Sequence, residues 1–259
     1  MFGLEKRSRE RLRAEAFPSE WLLVLERNAP FYRRLPPPDQ RELQGHIRVI
    51  VAEKNFEGCG GLEMTDEIRV TIAAHAALLL LHRDTDYYPK LRSIVVYPAA
   101  FVVNHTEVVE EGGYTVEGPE ARLGESWHHG AVVLSWDDVR SGARNFHDGY
   151  NVVLHEFAHQ LDQEGGSVNG VPELDDSSWY RTWKRLLEDE YRDLRKAVAL
   201  GEPTMLDQYG ATHPAEFFAV ATEAFFEKPA QLSATHPALY EELKKFYRQD
   251  PRQWLGYSS

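Results

Sequence analysis

Two histidines four residues apart, with a glutamate directly after the first, stand at His155-Glu156-Phe-Ala-His159. On an α-helix such a pair shares one face, with Cβ atoms roughly 5–6 Å apart. Two imidazoles at that spacing can grip one zinc ion, and Glu156 beside them can act as a base on a water held there. The flanking residues predict the helix. Val152, Val153, Phe157 and Leu161 form an apolar stripe near a 3.6-residue period, Asp148 reads as the N-cap, and Gly165-Gly166 end the segment. The bland alternative is an amphipathic helix that merely carries two histidines. A five-residue pattern rare by chance, set in an apolar helical frame, favours the metal.

A catalytic zinc site takes three protein ligands and keeps one position open. A third His or Asp ten residues after His155 is excluded, because residue 165 is Gly. A ligand Glu about twenty residues beyond His159 finds Ser178 and Trp179 instead. The third ligand therefore comes from farther along the chain, and the best candidate segment runs from Tyr209 through Glu216 to Glu223. Thr212 or His213 followed by Pro214 is a helix-start signal, since proline is tolerated in the first turn. In that helix Glu216 and Glu223 fall at i and i+7 amid apolar residues. A carboxylate buried there needs a partner, because leaving it alone costs many kcal/mol. A metal would serve, and so would an Arg or Lys elsewhere.

The stretches Asn151-Val-Val-Leu-His-Glu-Phe-Ala-His159 and Tyr209-x6-Glu216-Phe-Phe-Ala219 resemble the Mlc titration factor A family of bacterial zinc peptidases. They are similar, more distantly, to the catalytic domain of anthrax lethal factor. Further matching stretches are Phe56 to Leu62, Asp66 to Ile72, Val132 to Trp136 and Phe246 to Pro251, so the resemblance spans about Trp21 to Trp254. It implies that His155, His159 and Glu216 bind one zinc ion, that Glu156 is the general base, and that Tyr209 stabilises the transition state. It also implies an aminopeptidase-like zinc metallopeptidase acting on a peptide or protein, and a link to glucose-uptake genes through a transcriptional repressor similar to Mlc. Two rival readings stay open: a regulator-sequestering binding protein with weak hydrolysis, and a hydrolase of a non-peptide amide. The intact Glu156 speaks against a site that only binds.

The elements that must position these residues read as α+β, a zincin-like fold with a small mixed β-sheet, the metal helix and several surrounding helices. Residues 1–259 are expected to form a single peptidase domain, with residues 1–85 as an N-terminal helical lobe in the alternative partition. Helical periodicity covers 18–28 and 39–54, and a third helix, apolar nearly all round and hence central, begins near Thr65. Strands are predicted at Ser93 to Tyr97, Phe101 to Asn104, Tyr114 to Val116 after the Gly112-Gly113 turn, and Ala131 to Trp136. Then follow the metal helix, a charged helix over 177–200, the Glu216 helix, and a last helix over 237–248. Ala131 to Trp136 is either a sheet edge on which a peptide pairs its backbone or an interior strand. Gly130 would give room for close approach.

His128 and His129 read as rim residues, and His75 and His82, at i and i+7, as core or interface groups; His147 is ambiguous. Metal-bound histidines usually donate their other ring N–H to a carboxylate or carbonyl. Asp162 or Glu223 could take that part, and Asp162 could equally cap its helix.

Bulk properties point to the cytoplasm. The chain has 259 residues, 42% of them hydrophobic, enough for one sizeable core. Cys59 is the only cysteine, which excludes a disulfide framework and a cysteine-based zinc ribbon. The charged start has no apolar h-region, and the run Ala73 to Leu81 is too short to span a bilayer. The net charge of 29 − 41 = −12 predicts no direct nucleic-acid partner and no membrane partner. The basic cluster Lys6, Arg7, Arg9, Arg11 and Arg13 reads as a frayed, solvated end.

Overall fold

Proline, threonine, asparagine and histidine caps punctuate a largely helical chain whose computed structural model describes residues 2–99, 130–166, 169–174 and 176–256. The first half holds α1 (Phe2–Ala14), α2 (Ser19–Asn28), α3 (Pro37–Glu53), β1 (Asn55–Gly58), α4 (Asp66–Leu78), β2 (Ser93–Tyr97) and β3 (Ala131–Ser135). The second half is helical: α5 (Trp136–Arg144), α6 (Val152–Glu164), α7 (Ser177–Leu200), α8 (Pro214–Glu227), α9 (Pro229–Thr235), α10 (Pro237–Tyr247) and α11 (Pro251–Leu255). A 3-10 turn over Gln208–Ala211 leads into α8.

Thr65 caps α4 by accepting from the Ile68 amide, and Asp66 and Glu67 complement the dipole of its first turn. That helix is buried on every side from Val70 to Leu78, which makes it the central helix that its composition predicts. One continuous core runs from Leu25 to Tyr247 and includes the aromatic residues Phe157, Phe217, Phe218, Phe225 and Trp183. Among the described residues no helix is long and apolar enough to cross a membrane.

The described sheet is parallel throughout, in the order β1-β2-β3, with Phe56 opposite Ile94 and Ile94 opposite Val132. The mixed character expected above would rest on strands that lie outside the described residues. Parallel neighbours need a crossover connection, and α4 supplies the one between β1 and β2. Ile94, Val96, Val132 and Leu134 point to one face and are buried. The strands expected at Phe101 to Asn104 and Tyr114 to Val116, and the pair His128-His129, lie outside the described residues.

Four expectations are revised. The basic start is a helix, α1, lashed to its neighbours rather than a frayed end. Arg9 donates from Nε and Nη2 to both oxygens of Glu53 (2.8 and 3.0 Å), and Arg48 of α3 donates to the carbonyls of Leu12 and Ala16. The apolar run ending at Trp136 stops one residue early, because Ser135 caps a new helix, α5, whose first turn carries Asp137 and Asp138. His82 is not on α4, which ends at Leu78. Finally Asp148 does not cap α6: its carboxylate accepts from Tyr150 N and Asn145 Nδ2, and Gly149, at φ +78°, turns the chain so that Asn151 becomes the cap.

Candidate metal centre

The order of residues along α6 and α8 decides what meets. Asn151 caps α6 by accepting from Leu154 N (3.2 Å), which fixes the rotation of the helix and turns His155 and His159 toward α8. His213 caps α8 by accepting from Ala215 N (3.2 Å), with Pro214 at the first helical position. The two helices pack antiparallel, since Asn151 meets Glu223 while His159 meets Glu216.

Three donor atoms converge between them. His155 Nε2 lies 2.9 Å and His159 Nε2 3.3 Å from the same oxygen, Oε2 of Glu216. The three residues form a cluster whose ligand atoms lie within 4.8 Å of one another. A tetrahedron with metal–ligand bonds of about 2.0–2.1 Å has an edge of about 3.3 Å, so these separations fit one small cation. The donor set of two imidazoles and one carboxylate suits a borderline-soft divalent ion, zinc above all.

Charge tells the same story. Burial raises the Glu216 carboxyl, yet the hydrogen bonds from His155 and His159 outweigh it and pull the group down to about 2. Burial lowers His155, but the Glu223 and Glu216 carboxylates overcome this and hold the imidazole well above its usual range. His159, more deeply enclosed, is driven down by burial to about 4. A low carboxylate facing two imidazoles is a site arranged for positive charge.

Glu156 points elsewhere on α6 and is 6% exposed. Burial pushes its carboxyl up to about 7, partly offset by His155. A carboxyl near neutrality can take and return a proton at ordinary pH. Tyr209, in the 3-10 turn, is 55% exposed and its ring centroid lies 6.0 Å from that of His155. The Asp207 carboxylate caps this turn by accepting from Tyr209 N (2.8 Å).

A second carboxylate sets the His155 ring. His155 Nδ1 lies 3.0 Å from Glu223 Oε2, while Glu223 Oε1 accepts from the Asn151 amide at 2.6 Å. Glu227, one turn on and 1% exposed, accepts from Asn151 Nδ2 (3.1 Å) and Gly149 N (2.9 Å). Sequence reasoning singled out neither the capping role of Asn151 nor Glu227. Their signal was present: Asn151 is a cap-type residue immediately before the apolar stripe, and Glu227 continues the stripe of Glu216 and Glu223. Asp162 does not touch either histidine's ring; its Oδ2 accepts from Gly170 N (2.7 Å), and Trp183 Nε1 fixes the same glycine through its carbonyl. Replacing Glu223 with alanine is therefore expected to weaken zinc binding about 10–100-fold, the usual effect of losing the group that orients a metal-binding histidine. Asp162→Ala should leave zinc binding much closer to wild type. Competition with a chelator measures both, and equal losses would refute the distinction.

The other described histidines stay outside this cluster. His75 is buried in α4 with Nδ1 2.9 Å from Thr71 O and its ring edge-on to Phe31. His82 pairs with Asp39 (3.0 Å) near the surface, and His147 is exposed. Among the described strands β3 is terminal in the sheet, and it packs against both α5 and α6. Gly130 is needed for contact within the chain itself: its φ is +72°, and a Cβ there would lie 2.8 Å from Lys90 O.

Known proteins resemble this chain over most of its length. A Synechocystis protein, slr2042, is 41% identical over 236 residues, covering 90% of this chain and 85% of its own. Mlc titration factor A of Serratia proteamaculans is 34% identical over 224 residues, covering 84% of each chain. Mlc titration factor A of Yersinia pestis is 32% identical over 228 residues, covering 86% of this chain and 83% of its own. The family described as glucose-regulated metallo-peptidase M90 matches residues 4–248, and the chain belongs to it.

Proposed function

We propose that the protein is a cytoplasmic zinc peptidase, aminopeptidase-like, that hydrolyses peptide bonds with His155, His159 and Glu216 holding one zinc ion. The observation that carries this reading is the convergence of two imidazole nitrogens on one carboxylate oxygen beside a buried glutamate. Zinc in such a donor set supplies a water acidified toward neutrality and a positive charge that polarises a carbonyl.

The rest of the chemistry falls to the chain. Glu156 accepts the water proton at its carboxylate and returns it to the leaving amine. The Tyr209 hydroxyl, on a ring 6.0 Å from that of His155, donates to the carbonyl oxygen as negative charge develops there, the stage at which a donor contributes to rate. Glu223 holds the His155 ring in one orientation, and Asn151 and Glu227 hold Glu223 and the start of α6.

A second reading is favoured by the names of the relatives. Proteins called Mlc titration factor A suggest a chain that binds a transcriptional repressor similar to Mlc, with hydrolysis weak or secondary. Metal analysis joined to a peptide-library assay separates the two. The expected result is about one zinc per chain with cleavage of a subset of peptides. Failure to cleave any peptide, with tight binding of such a repressor, would instead establish the binding role.

A further inference from the structure

A cavity of about 540 Å³ lies against one flank of α8, and its lining includes Asp148, Tyr150, Met205, Val220, Ala224 and Lys228. Val220, Ala224 and Lys228 are spaced four apart and form one row of α8 out to its C-cap. The α8 residues that line the cavity begin one helical turn beyond Glu216. At its near end Gln208 lines the wall, next to Tyr209 and its ring contact with His155. Its floor is apolar, since Val220 and Ala224 are buried.

Lys228 also lines it, half-buried, and its ammonium has no hydrogen bond or ion pair to any described residue. The two carboxylates of the lining are already engaged: Asp148 accepts from Asn145 Nδ2 and Tyr150 N, and Asp207 accepts from Tyr209 N. The lysine lies directly on Gly149, where a Cβ would come within 2.9–3.0 Å of its Cε, Cδ and Nζ. Glycine at 149, at φ +78°, therefore clears the path along which the ammonium enters the cavity.

We infer that this cavity receives a carboxylate of the bound peptide, paired with the Lys228 ammonium while the adjoining aliphatic part lies on Val220 and Ala224. The inference rests on the peptidase reading. Twelve residues of α8 separate Glu216 from Lys228; at about 1.5 Å per residue that is roughly 18 Å. An extended peptide advances about 3.3 Å per residue. Since the lysine side chain leans back toward the helix N-terminus, the carboxylate belongs some three to five residues from the scissile bond. A free C-terminus of a short peptide or an acidic side chain would supply the same chemistry.

Equilibrium binding of fluorescent tetrapeptides to zinc-loaded Glu156→Gln protein tests this without turnover. Two pairs are compared: free C-terminus against C-terminal amide, and, within amides, a last residue Glu against Gln. The member carrying the carboxylate is expected to bind about tenfold more tightly in at least one pair, the scale of a charge-assisted contact, and the responding pair identifies the source. Lys228→Arg should keep the preference, Lys228→Met should abolish it, and Lys228→Glu should reverse it. A preference that survives Lys228→Met, a preference for neutral or basic ends, or no binding of any peptide overturns the inference. Cleavage by wild-type protein is measured alongside. Cleavage without a Lys228-dependent preference sinks this inference alone, whereas a Lys228-dependent preference with no cleavage sinks the peptidase reading.

Discussion

Glu156→Gln is expected to bind zinc as wild type does and to lose at least about 10²-fold in turnover, the scale of a general base. The substitution keeps the shape of the side chain and removes only its capacity to take a proton. Glu156 lies outside the group of three donors, so occupancy should not change. It is 6% exposed and burial pushes its carboxyl up to about 7, so an amide of the same shape spares the cost of a buried charge and the fold should tolerate it. Zinc content, thermal melting and steady-state rates on one peptide are the measurements. Turnover within a few-fold of wild type would remove Glu156 from the mechanism.

Removing a donor should act in the opposite order, on the metal first. His159→Ala and Glu216→Ala are each expected to lower zinc content from about one per chain to near zero in dialysed protein, because a site with an open position has no protein ligand to spare. Stability offers an independent readout. A ligand present at about 1,000 times its Kd stabilises the folded state by about 4 kcal/mol, so added zinc should raise the melting temperature of wild type and leave both variants nearly unmoved. His159 is 1% exposed, and His159→Ala also opens a void beside α8, so its melting temperature without zinc is the necessary reference. Full zinc occupancy in either variant would refute the assigned donor set. If Glu223→Ala strips the metal and Glu216→Ala does not, the ligand is the carboxylate one repeat farther along α8.

Local signals carried most of this site. The four-residue spacing of His155 and His159, the apolar stripe of α6 and the Pro214 start of α8 are all short-range, and each element stands where its pattern puts it. What escaped was long-range. Asn151 and Asp148 are both cap-type residues, and only the backbone turn at Gly149 selects between them. The partnership of Asn151 with Glu227 spans 76 residues and leaves no trace in either neighbourhood. α1 was missed because its polar sequence is held by Glu53 and by the bonds of Arg48, none of which is near it in the chain.

The contacts between the approach to α6 and the acidic stripe of α8 are chemically lopsided. Gly149 and Asn151 offer main-chain amides, which every residue but proline possesses, whereas Glu223 and Glu227 reach them with side chains. Sequence drift can therefore erase these two bonds from one bank only. Loop residues around 149–151 are free to vary so long as the turn at Gly149 and the cap at Asn151 survive, while each acid on α8 is individually indispensable to its bond. The instructions for holding His155 in place are written mostly on the helix that does not carry it.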